Sequence, residues 1–407
     1  MSTKLTIFLI YWIKGGDKVL KTKVGYSQNV DSFQAGFETA QMANLGEAKV
    51  GLLFTSCVMD QAKIIDGVRS FSGVPVLGCT SSAAICTQDG YLNAETGYAG
   101  MMCLGGDVEV VVAGSEKTSN ETAREIGRRL AKEAISQVKG PDVEPDYFFM
   151  TASPKEEEEY MKGVQDVIGN IPVFGGSAAD NTVEGKWSIL CNDKIFSDGC
   201  AIAIFYTDSE MKNLYTGEYK ETTNAGVITK VVNNRTLVEI DRQPALKKYC
   251  EWTGKDINKV MGGNLLVETI FNPLAVKDPI GGVVAIRHPM FANDDLSMNI
   301  GADLVTNTAI IQMHLEPEEM VQANPNAIKK LNALMDEEVQ SYFLVHCGGR
   351  RLGLSIAGKE QEIYPAVKAI TGDKEFLMVF TFGEYGNGDH SANTVGGLSL
   401  SYTGFGK

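Results

Sequence analysis

The sequence predicts an α/β protein built from repeated strand–helix–strand units, which form mixed sheets with helices packed outside them. Two observations predict this fold class. A buried strand, a helix and a second strand occur in the same order more than once, and hairpin-like strands lie between the copies. The chain has 407 residues, whereas one hydrophobic core usually serves no more than about 250–300. We therefore expect two domains or two closely joined halves.

The first copy of the unit lies in the N-terminal part of the chain. Its strand, helix, second strand and a further strand are expected at 50–57, 60–71, 74–82 and 98–104. Pro75 begins the second strand and Gly78 ends it. A proline at the start of a strand removes no ladder hydrogen bond, and glycine lets the backbone turn sharply. The second strand is therefore expected to end in a tight turn.

The second copy follows about a hundred residues later. Its elements are expected at 147–153, 156–168, 171–177 and 200–206. Pro172 and Gly175 repeat the pattern of proline and glycine, and a pattern that matches in two places indicates an internal repeat. A third, looser copy with a longer helical segment is expected at 342–347, 360–370, 376–384 and 397–402.

Other segments predict helices and hairpins around these units. Helices are expected at 30–44, at 120–138 with Asn120 as the cap, and at 317–340 with a break near Asn324-Pro325. Hairpin-like strands are expected at 108–113, after the Gly105–Asp107 turn, and on both sides of Asn233-Asn234, at 227–232 and 236–240. The polar stretch 208–224 marks the expected junction between a domain of residues 1–215 and a domain of residues 216–407.

Charge and cysteine pattern exclude several classes of function. A net charge of −14 argues against nucleic acid and against anionic membranes as partners. The eight cysteines form no C-x-x-C pair, and the four histidines have no paired spacing, so neither a metal site nor a cofactor is expected. Reduced core thiols indicate a reducing compartment. The apolar run Leu5–Ile13 is too short to span a bilayer and predicts a strand, so a cytoplasmic location is expected.

Two glycine-rich loops carry a resemblance to a known family. Residues 78–85 (GCTSSAAI) resemble the G-C-S-x-x-G-E-I loop of the FIST N-terminal domain, and residues 173–180 (VFGGSAAD) resemble its second glycine loop. Residues 238–249 resemble the opening of the FIST C-terminal domain. Further matches to that domain are Arg287, the Cys347-x-x-Arg350 pair, residues 382–385, His390, Asn393 and Thr394. The resemblance covers about residues 24–403 in the expected order.

The resemblance implies a sensory protein that binds a small ligand, amino acids among the candidates, and acts in intracellular signal transduction. A signalling protein is then a possible partner. Some relatives carry additional signalling modules, and this chain is expected to be a stand-alone version. In one place it departs from the family pattern, because Ala83-Ala84 replaces the Gly-Glu of the first loop. A role for that carboxylate is not expected here.

The candidate binding residues follow the ends of the predicted strands. Glycine-rich turns with small hydroxyl residues offer backbone amides to an anionic group, and arginine offers a planar fork to a carboxylate. Asp180-Asn181 has the chemistry to accept from an ammonium group, although an Asx turn explains it equally well. The residues expected to contact the ligand are Gly78, Cys79, Thr80, Ser81, Gly175, Gly176, Ser177, Asp180, Asn181, Arg287, Arg350, Gly383, Glu384, His390 and Asn393.

Three other functions remain open from the sequence. An acyl hydrolase would use Ser177 in an elbow-like turn with His346 or His390 as base, but the polar residues after Ser177 predict a loop where the elbow needs a helix. A cysteine variant would use Cys79, which has no sequence feature that lowers a thiol pKa. A protein-interaction scaffold would need the glycine turns only for packing.

Overall fold

The computed structural model of the protein describes residues 19–138, 144–278, 282–387 and 392–406. Within these residues the chain forms a mixed α/β fold of three similar units and one additional sheet. The expected fold class is therefore confirmed. The strand expected at Leu5–Ile13 and the candidate residue His390 lie outside the described residues.

Unit one alternates strands and helices. Its elements are β1 (Leu20–Ser27), α1 (Ser32–Met42), β2 (Ala48–Ser56), α2 (Gln61–Phe71), β3 (Val76–Ser81), β4 (Ile85–Thr87), β5 (Gly90–Leu92) and β6 (Ala99–Gly106). Strands β2 and β3 are parallel, and α2 connects them. The Asp60 side chain accepts the amides of Ala62 and Lys63, so it caps α2 where the sequence places the start of the helix.

Unit two repeats this design. Its elements are β7 (Glu109–Glu116), α3 (Ala123–Ile135), β8 (Tyr147–Ala152), α4 (Glu157–Ile168), β9 (Val173–Ser177), β10 (Ile189–Cys191), β11 (Lys194–Phe196) and β12 (Gly199–Tyr206). Strands β8 and β9 are parallel. The cap of α3 is Thr122 and not the expected Asn120, because Thr122 and Glu125 form a reciprocal capping box.

Unit three begins with β13 (Met211–Thr216), and an inserted sheet follows before the unit continues. The inserted segment comprises β14 (Lys220–Val232), β15 (Thr236–Ile240), β16 (Gln243–Pro244), α5 (Ala245–Thr253), α6 (Asn264–Glu268), β17 (Leu274–Lys277), β18 (Val283–Arg287), β19 (Pro289–Ala292), β20 (Met298–Ile300) and β21 (Ala309–His314). The expected β14–β15 hairpin is confirmed, with φ of +49° at Asn233 and +58° at Asn234. The proposed domain boundary after residue 215 falls at the end of β13, and we keep it as a proposal.

The rest of unit three confirms the third copy of the repeat. Its elements are α7 (Pro317–Leu334), β22 (Ser341–Cys347), α8 (Gly348–Ile356), α9 (Ile363–Thr371), β23 (Glu375–Thr381), β24 (Glu384–Asn387), β25 (Asn393–Gly396) and β26 (Leu400–Phe405). Strands β22 and β23 are parallel, as β2 and β3 are in unit one. Two helices rather than one connect them, which explains the longer helical segment in the sequence.

The expected break at Asn324-Pro325 is wrong, because α7 continues through the proline. Pro325 has no N–H to donate to the carbonyl of Val321 four residues earlier. The side-chain amide of Asn324 donates to that carbonyl at 3.0 Å and to the Met320 carbonyl at 3.3 Å. The buried asparagine thus supplies the hydrogen bond that the proline removes.

The three units share one strand order, and each gives its short hairpin to another unit. The sheets run β1-β6-β2-β3-β10-β11, β7-β12-β8-β9-β24-β25 and β13-β26-β22-β23-β4-β5. Hairpin β4–β5 therefore lies in the sheet of unit three, β10–β11 in that of unit one, and β24–β25 in that of unit two. The exchange is a closed cycle that interlocks the units.

The turn at Gly105–Asp107 does not form the expected hairpin. Strand β6 pairs with β1 and β2, whereas β7 pairs with β12 in the next sheet. The turn thus carries the chain from unit one to unit two.

Aromatic side chains join the three sheets at the centre. Phe54, Phe149 and Phe343 come from units one, two and three, and their ring centroids are 5.5 Å apart for Phe54–Phe343 and 6.0 Å apart for Phe149–Phe343. All three rings are buried. The inner faces of the sheets therefore pack into one core, and the helices cover the outer faces.

Candidate functional site

The strand ends that carry the candidate turns meet at one place. The amide of Ala179 donates to Thr80 O at 2.9 Å, and the amide of Ser82 donates to Phe380 O at 2.7 Å. The amide of Ser177 donates to the carbonyl of Gly383 at 2.8 Å. These bonds join the carboxyl ends of β3, β9 and β23 in pairs. The turns that are far apart in sequence thus converge in the fold.

A cleft of about 70 Å³ opens beside this meeting point, between the three units and the inserted sheet. It exceeds the roughly 10–15 Å³ that one water needs. The residues that line it are Ser82, Asp180, Asn181, Val183, Leu266, His288, Met290, Gly301, Cys347, Gly348, Gly349, Arg351, Leu352, Phe382 and Gly397. Apolar side chains therefore surround a few polar groups, which is the usual composition of a small-molecule site.

Helix α8 points its N-terminus at the cleft. Cys347 is its cap residue, and the two glycines that follow leave their amides uncovered by side chains. The first amides of a helix have no partner within the helix, and the helix dipole favours negative charge there. This end of the cleft therefore suits an anionic group.

Arg351 adds a guanidinium to the same end. The residue is 8% exposed, and its Nη1 donates to Glu360 Oε1 at 2.5 Å. Its Nε is buried without a hydrogen-bond partner among the described residues. A buried donor without a partner is unfavourable. Arg350 Nε and Nη2 are buried in the same way, but of the two residues only Arg351 lines the cleft.

The predicted residue Arg350 lies one position away and points elsewhere. It is fully buried, and its Nη1 donates to the carbonyls of Gly217 at 2.7 Å and Leu398 at 3.2 Å. Its guanidinium carbon lies 5.2 Å from the centre of the Tyr219 ring. Arg350 thus holds the start of the inserted segment against unit three and is not among the residues that line the cleft.

Glu384 lies directly behind the cleft. It is fully buried, and its carboxylate accepts the Ser399 amide at 3.0 Å and the Thr381 hydroxyl at 3.2 Å. The Cys347 thiol lies beside the same carboxyl group. Burial raises the pKa of Glu384 and also the pKa of the Cys347 thiol. Cys347 thus separates the predicted residue Glu384 from the cleft.

His288 forms part of the wall from the inserted sheet. Its Nε2 contacts the Leu266 carbonyl at 2.9 Å, so that nitrogen carries the proton. Its Nδ1 has no hydrogen-bond partner among the described residues. Burial lowers the pKa of His288 to about 4, so the imidazole is neutral at pH 7 and Nδ1 is an acceptor.

Of the first predicted loop, residues 78–85, only Ser82 lines the cleft. A side chain on Gly78 would meet the Leu53 carbonyl at 1.8 Å, so glycine is needed there for packing. Burial raises the pKa of Cys79 to about 12. The Thr80 hydroxyl accepts the Ser188 amide, and the Ser81 hydroxyl bonds Ala84 O and the Phe380 backbone. Ser82, one residue further, lines the cleft.

The second loop contributes Asp180 and Asn181 to the cleft, as expected. The Asp180 carboxylate accepts four amides, those of Thr182, Val183, Glu184 and Lys186. Its oxygens therefore organise the loop as an Asx-type turn. Asn181 Oδ1 accepts the amide of Ala83 at 2.8 Å and joins the two loops.

The other residues of the second loop are buried within the strand. A side chain on Gly175, where φ is +135°, would meet the Met150 carbonyl at 2.0 Å, and one on Gly176 would meet Thr381. The Ser177 hydroxyl donates to Glu157 Oε1 at 2.9 Å and contacts the Tyr385 hydroxyl at 2.8 Å. No histidine is among its partners in the described residues, and a loop rather than a helix follows it. This arrangement differs from a hydrolase elbow.

Three further predicted residues lie outside the cleft, where they hold or pack against other parts of the chain. Arg287 donates to the carbonyls of Asp303 and Val395. Asn393 donates to Ile171 O at 2.7 Å and so fixes the exchanged hairpin β24–β25 to unit two. Gly383 packs against Ser177, where a Cβ would lie 2.6 Å from the serine hydroxyl.

Comparison with known proteins identifies the family. The FIST N domain matches residues 49–243, and the FIST C domain matches residues 245–387. The chain belongs to the FIST family. FIST domains are generally sensory, ligand-binding domains of signal transduction.

A relative from Methanocaldococcus jannaschii, described as an uncharacterized protein, is 21% identical over 345 residues. The match covers 79% of this chain and 64% of the relative, so the relative extends well beyond the match. In the described residues of this FIST chain, no helix is long and apolar enough to cross a membrane.

Proposed function

We propose that this FIST protein is a signalling sensor that binds a small carboxylate, such as an amino acid, in the cleft. The observation that carries the proposal is the Arg351 Nε, a buried donor without a partner beside the N-terminus of α8. A guanidinium and helix amides together suit a carboxylate. Ser82 and Asn181 add polar groups to the lining. The 70 Å³ cleft favours ligands of a few heavy atoms.

The position of the cleft supports a sensory role. Leu266, His288, Met290 and Gly301 come from the inserted segment, and the remaining lining residues come from the three units. A ligand that contacts both parts would stabilise one arrangement of the two relative to others. A signalling partner that recognises this arrangement would then respond to the ligand.

A cytoplasmic location is part of the proposal. All eight cysteines are free thiols, and seven of them are buried. Such thiols suit a reducing compartment.

A thermal-shift screen over the amino acids and small carboxylates such as acetate, lactate and succinate tests the proposal. A ligand present at about a hundredfold its Kd stabilises the folded state by ~2.7 kcal/mol, so the melting temperature should rise. If no member of the panel changes the melting temperature, the proposal fails.

Variants then locate the site of the best ligand by calorimetry. We expect Arg351→Gln to weaken binding by tenfold or more, since a charge-assisted hydrogen bond contributes ~1.5–3 kcal/mol. Arg69→Gln removes the same charge from the exposed side of α2 and should leave the affinity unchanged. Equal affinities of both variants would place the ligand outside the cleft.

A further inference from the structure

We propose that Cys347 is a nucleophile that captures the ligand covalently, by adding to the carbonyl carbon of a small 2-oxo-carboxylate bound in the cleft. This inference rests on the proposed function, because Arg351 and the α8 amides would hold the carboxylate. In a 2-oxo acid the electrophilic carbon is bonded directly to the carboxylate carbon. An anion site beside a thiol therefore brings the sulfur next to that carbon.

The position of Cys347 sets it apart from the other cysteines. Among the described residues, Cys347 is the cysteine that lines the cleft. It lies at the turn from β22 into α8. Its Sγ accepts the amide of Leu398 at 3.2 Å, and the amides of Gly349 and Arg350 at the start of α8 lie near it. Backbone donors at a helix N-terminus stabilise negative charge that develops on sulfur.

Glu384 lies beside the thiol and does not line the cleft. Burial raises the pKa of Glu384 to about 8, so most of it is protonated at pH 7 and it is not the base for this step. Burial also keeps the thiol protonated at rest, so the thiol proton must leave as the bond to carbon forms. The carbonyl oxygen, which gains negative charge in the addition, is the group that receives this proton.

Gly349 leaves the space in which the carbonyl would lie. A Cβ built on Gly349 would lie 3.5 Å from Cys347 Sγ and 3.6 Å from His288 Cε1. The missing side chain therefore opens a gap between the sulfur and the imidazole ring. His288 Nδ1, which has no partner among the described residues, is the acceptor available for a new hydroxyl group.

Arg351 provides an independent indication that a ligand completes this site. The residue is 8% exposed and lines the cleft, and its Nε has no hydrogen-bond partner among the described residues. The Cys347 thiol, the Arg351 guanidinium and the His288 imidazole thus line one small cavity.

The proposed step is an addition that needs no oxidant and releases no leaving group. The sulfur electron pair forms the S–C bond, and the C=O π pair moves onto oxygen. The thiol proton passes to that oxygen, and the new hydroxyl group donates to His288 Nδ1. The product is a hemithioketal, and reversal of the same steps releases the ligand. Such a sensor would discriminate 2-oxo acids from 2-hydroxy and 2-amino acids.

Carbon-13 NMR of the full chain with [2-13C]pyruvate tests the inference, with [2-13C]lactate as the matched ligand that has no carbonyl. We expect a protein-bound tetrahedral carbon signal from pyruvate, which is lost in Cys347→Ser. Cys79→Ser, which changes a buried thiol of β3, should retain it. An unmoved carbonyl signal, with pyruvate bound equally by wild type and Cys347→Ser, would overturn the covalent step and leave the proposed function intact. Failure of pyruvate to bind at all would also overturn the inference.

Alkylation of the wild-type chain gives a second test that needs no cysteine variant. Iodoacetate carries a carboxylate and iodoacetamide does not, so Cys347 should react about tenfold faster with iodoacetate if a charge-assisted contact guides the reagent. Peptide mass spectrometry reports the site. Arg351→Gln should abolish the preference. An unreactive Cys347, or one that reacts equally with both reagents, would contradict the inference.

Discussion

At the residue scale, single positions decide which side chain reaches the cleft. The sequence predicts a guanidinium after β22 and a small hydroxyl residue after β3, and the structure has both. The residues are Arg351 and Ser82 rather than Arg350 and Ser81. The direction of a side chain at the start of a helix depends on the helix phase, which the end of a strand does not determine. His288 and Met290 had no sequence signal, because they reach the cleft only through the tertiary contact of the inserted sheet.

The departure of the first loop from the family pattern leads to a prediction about stability. Ala83 has φ of +62°, and it stands where the family pattern has glycine. The left-handed conformation costs a residue with a Cβ roughly 1–2 kcal/mol. Glycine avoids this cost but loses more conformational entropy on folding, which offsets part of the gain. We expect Ala83→Gly to raise the free energy of unfolding by about 0.5–1 kcal/mol in urea titrations. A loss of stability would show that the loop conformation is different.

The buried imidazole of His288 leads to a prediction about pH. Its pKa is lowered from 6.5 to about 4, so the folded state disfavours its protonation. Its contribution to stability is complete above pH 6.5 and is lost as the pH falls towards 4, by up to about 3 kcal/mol. His288→Asn should therefore make the free energy of unfolding fall less steeply over this range. Equal slopes for the wild type and His288→Asn would contradict the prediction.

At the scale of elements, an ion-pair network joins the inserted sheet to unit two. Arg235, after the β14–β15 turn, bonds Glu157 at 2.7 Å, Asp303 at 3.1 Å and also Glu158. Burial, followed by the charge of Glu157, raises the pKa of Glu158. One cation thus holds three carboxylates, and Glu157 in turn accepts the Ser177 hydroxyl near the converging turns.

Removing that cation should destabilise the whole arrangement. Arg235→Leu leaves partly buried carboxylates without compensation, which typically costs ~3–5 kcal/mol. Arg69→Leu, on the exposed side of α2, is the matched control and should cost less than about 1 kcal/mol. Chemical unfolding followed by circular dichroism measures both. If the two variants were equally stable, the network would not couple the inserted sheet to unit two.

The predictions at this scale succeed where local signals are strong and fail where long-range pairing decides. Pro75 and Pro172 directly precede β3 and β9, and this local signal allowed the repeated units to be predicted. The expectation that Gly78 and Gly175 end these strands is wrong, because both glycines lie inside strands that continue to Ser81 and Ser177. The exchanged hairpins contain strands as short as three residues, such as β10 and β11. Strands of this length carry no clear period, and their partners lie in other units. The continuation of α7 through Pro325 likewise depends on how one buried asparagine bonds.

At the scale of the whole molecule, the exchange of hairpins makes the units depend on one another. The sheet of unit two is completed by β24–β25, and the hairpin β4–β5 of unit one pairs with β23 of unit three. Phe343 of unit three also completes the central aromatic cluster. The cleft forms only where all three strand ends and the inserted sheet are together.

A fragment of residues 1–215 should therefore fail to fold by itself. It would expose the edge of β9 and an unpaired hairpin, and it would lose part of the central core. We expect no cooperative melting transition by circular dichroism, and recovery of the fold when residues 216–407 are co-expressed. A fragment that melts cooperatively near the temperature of the full chain would show instead that the two proposed domains are independent.

Crystals soaked with the carboxylate that gives the largest melting shift test whether a small carboxylate binds where the three strand ends converge. We expect difference electron density in the cleft, with a carboxylate oxygen about 3 Å from the Arg351 Nε and close to the first amides of α8. An empty cleft at saturating ligand, or density only at another place, would contradict it.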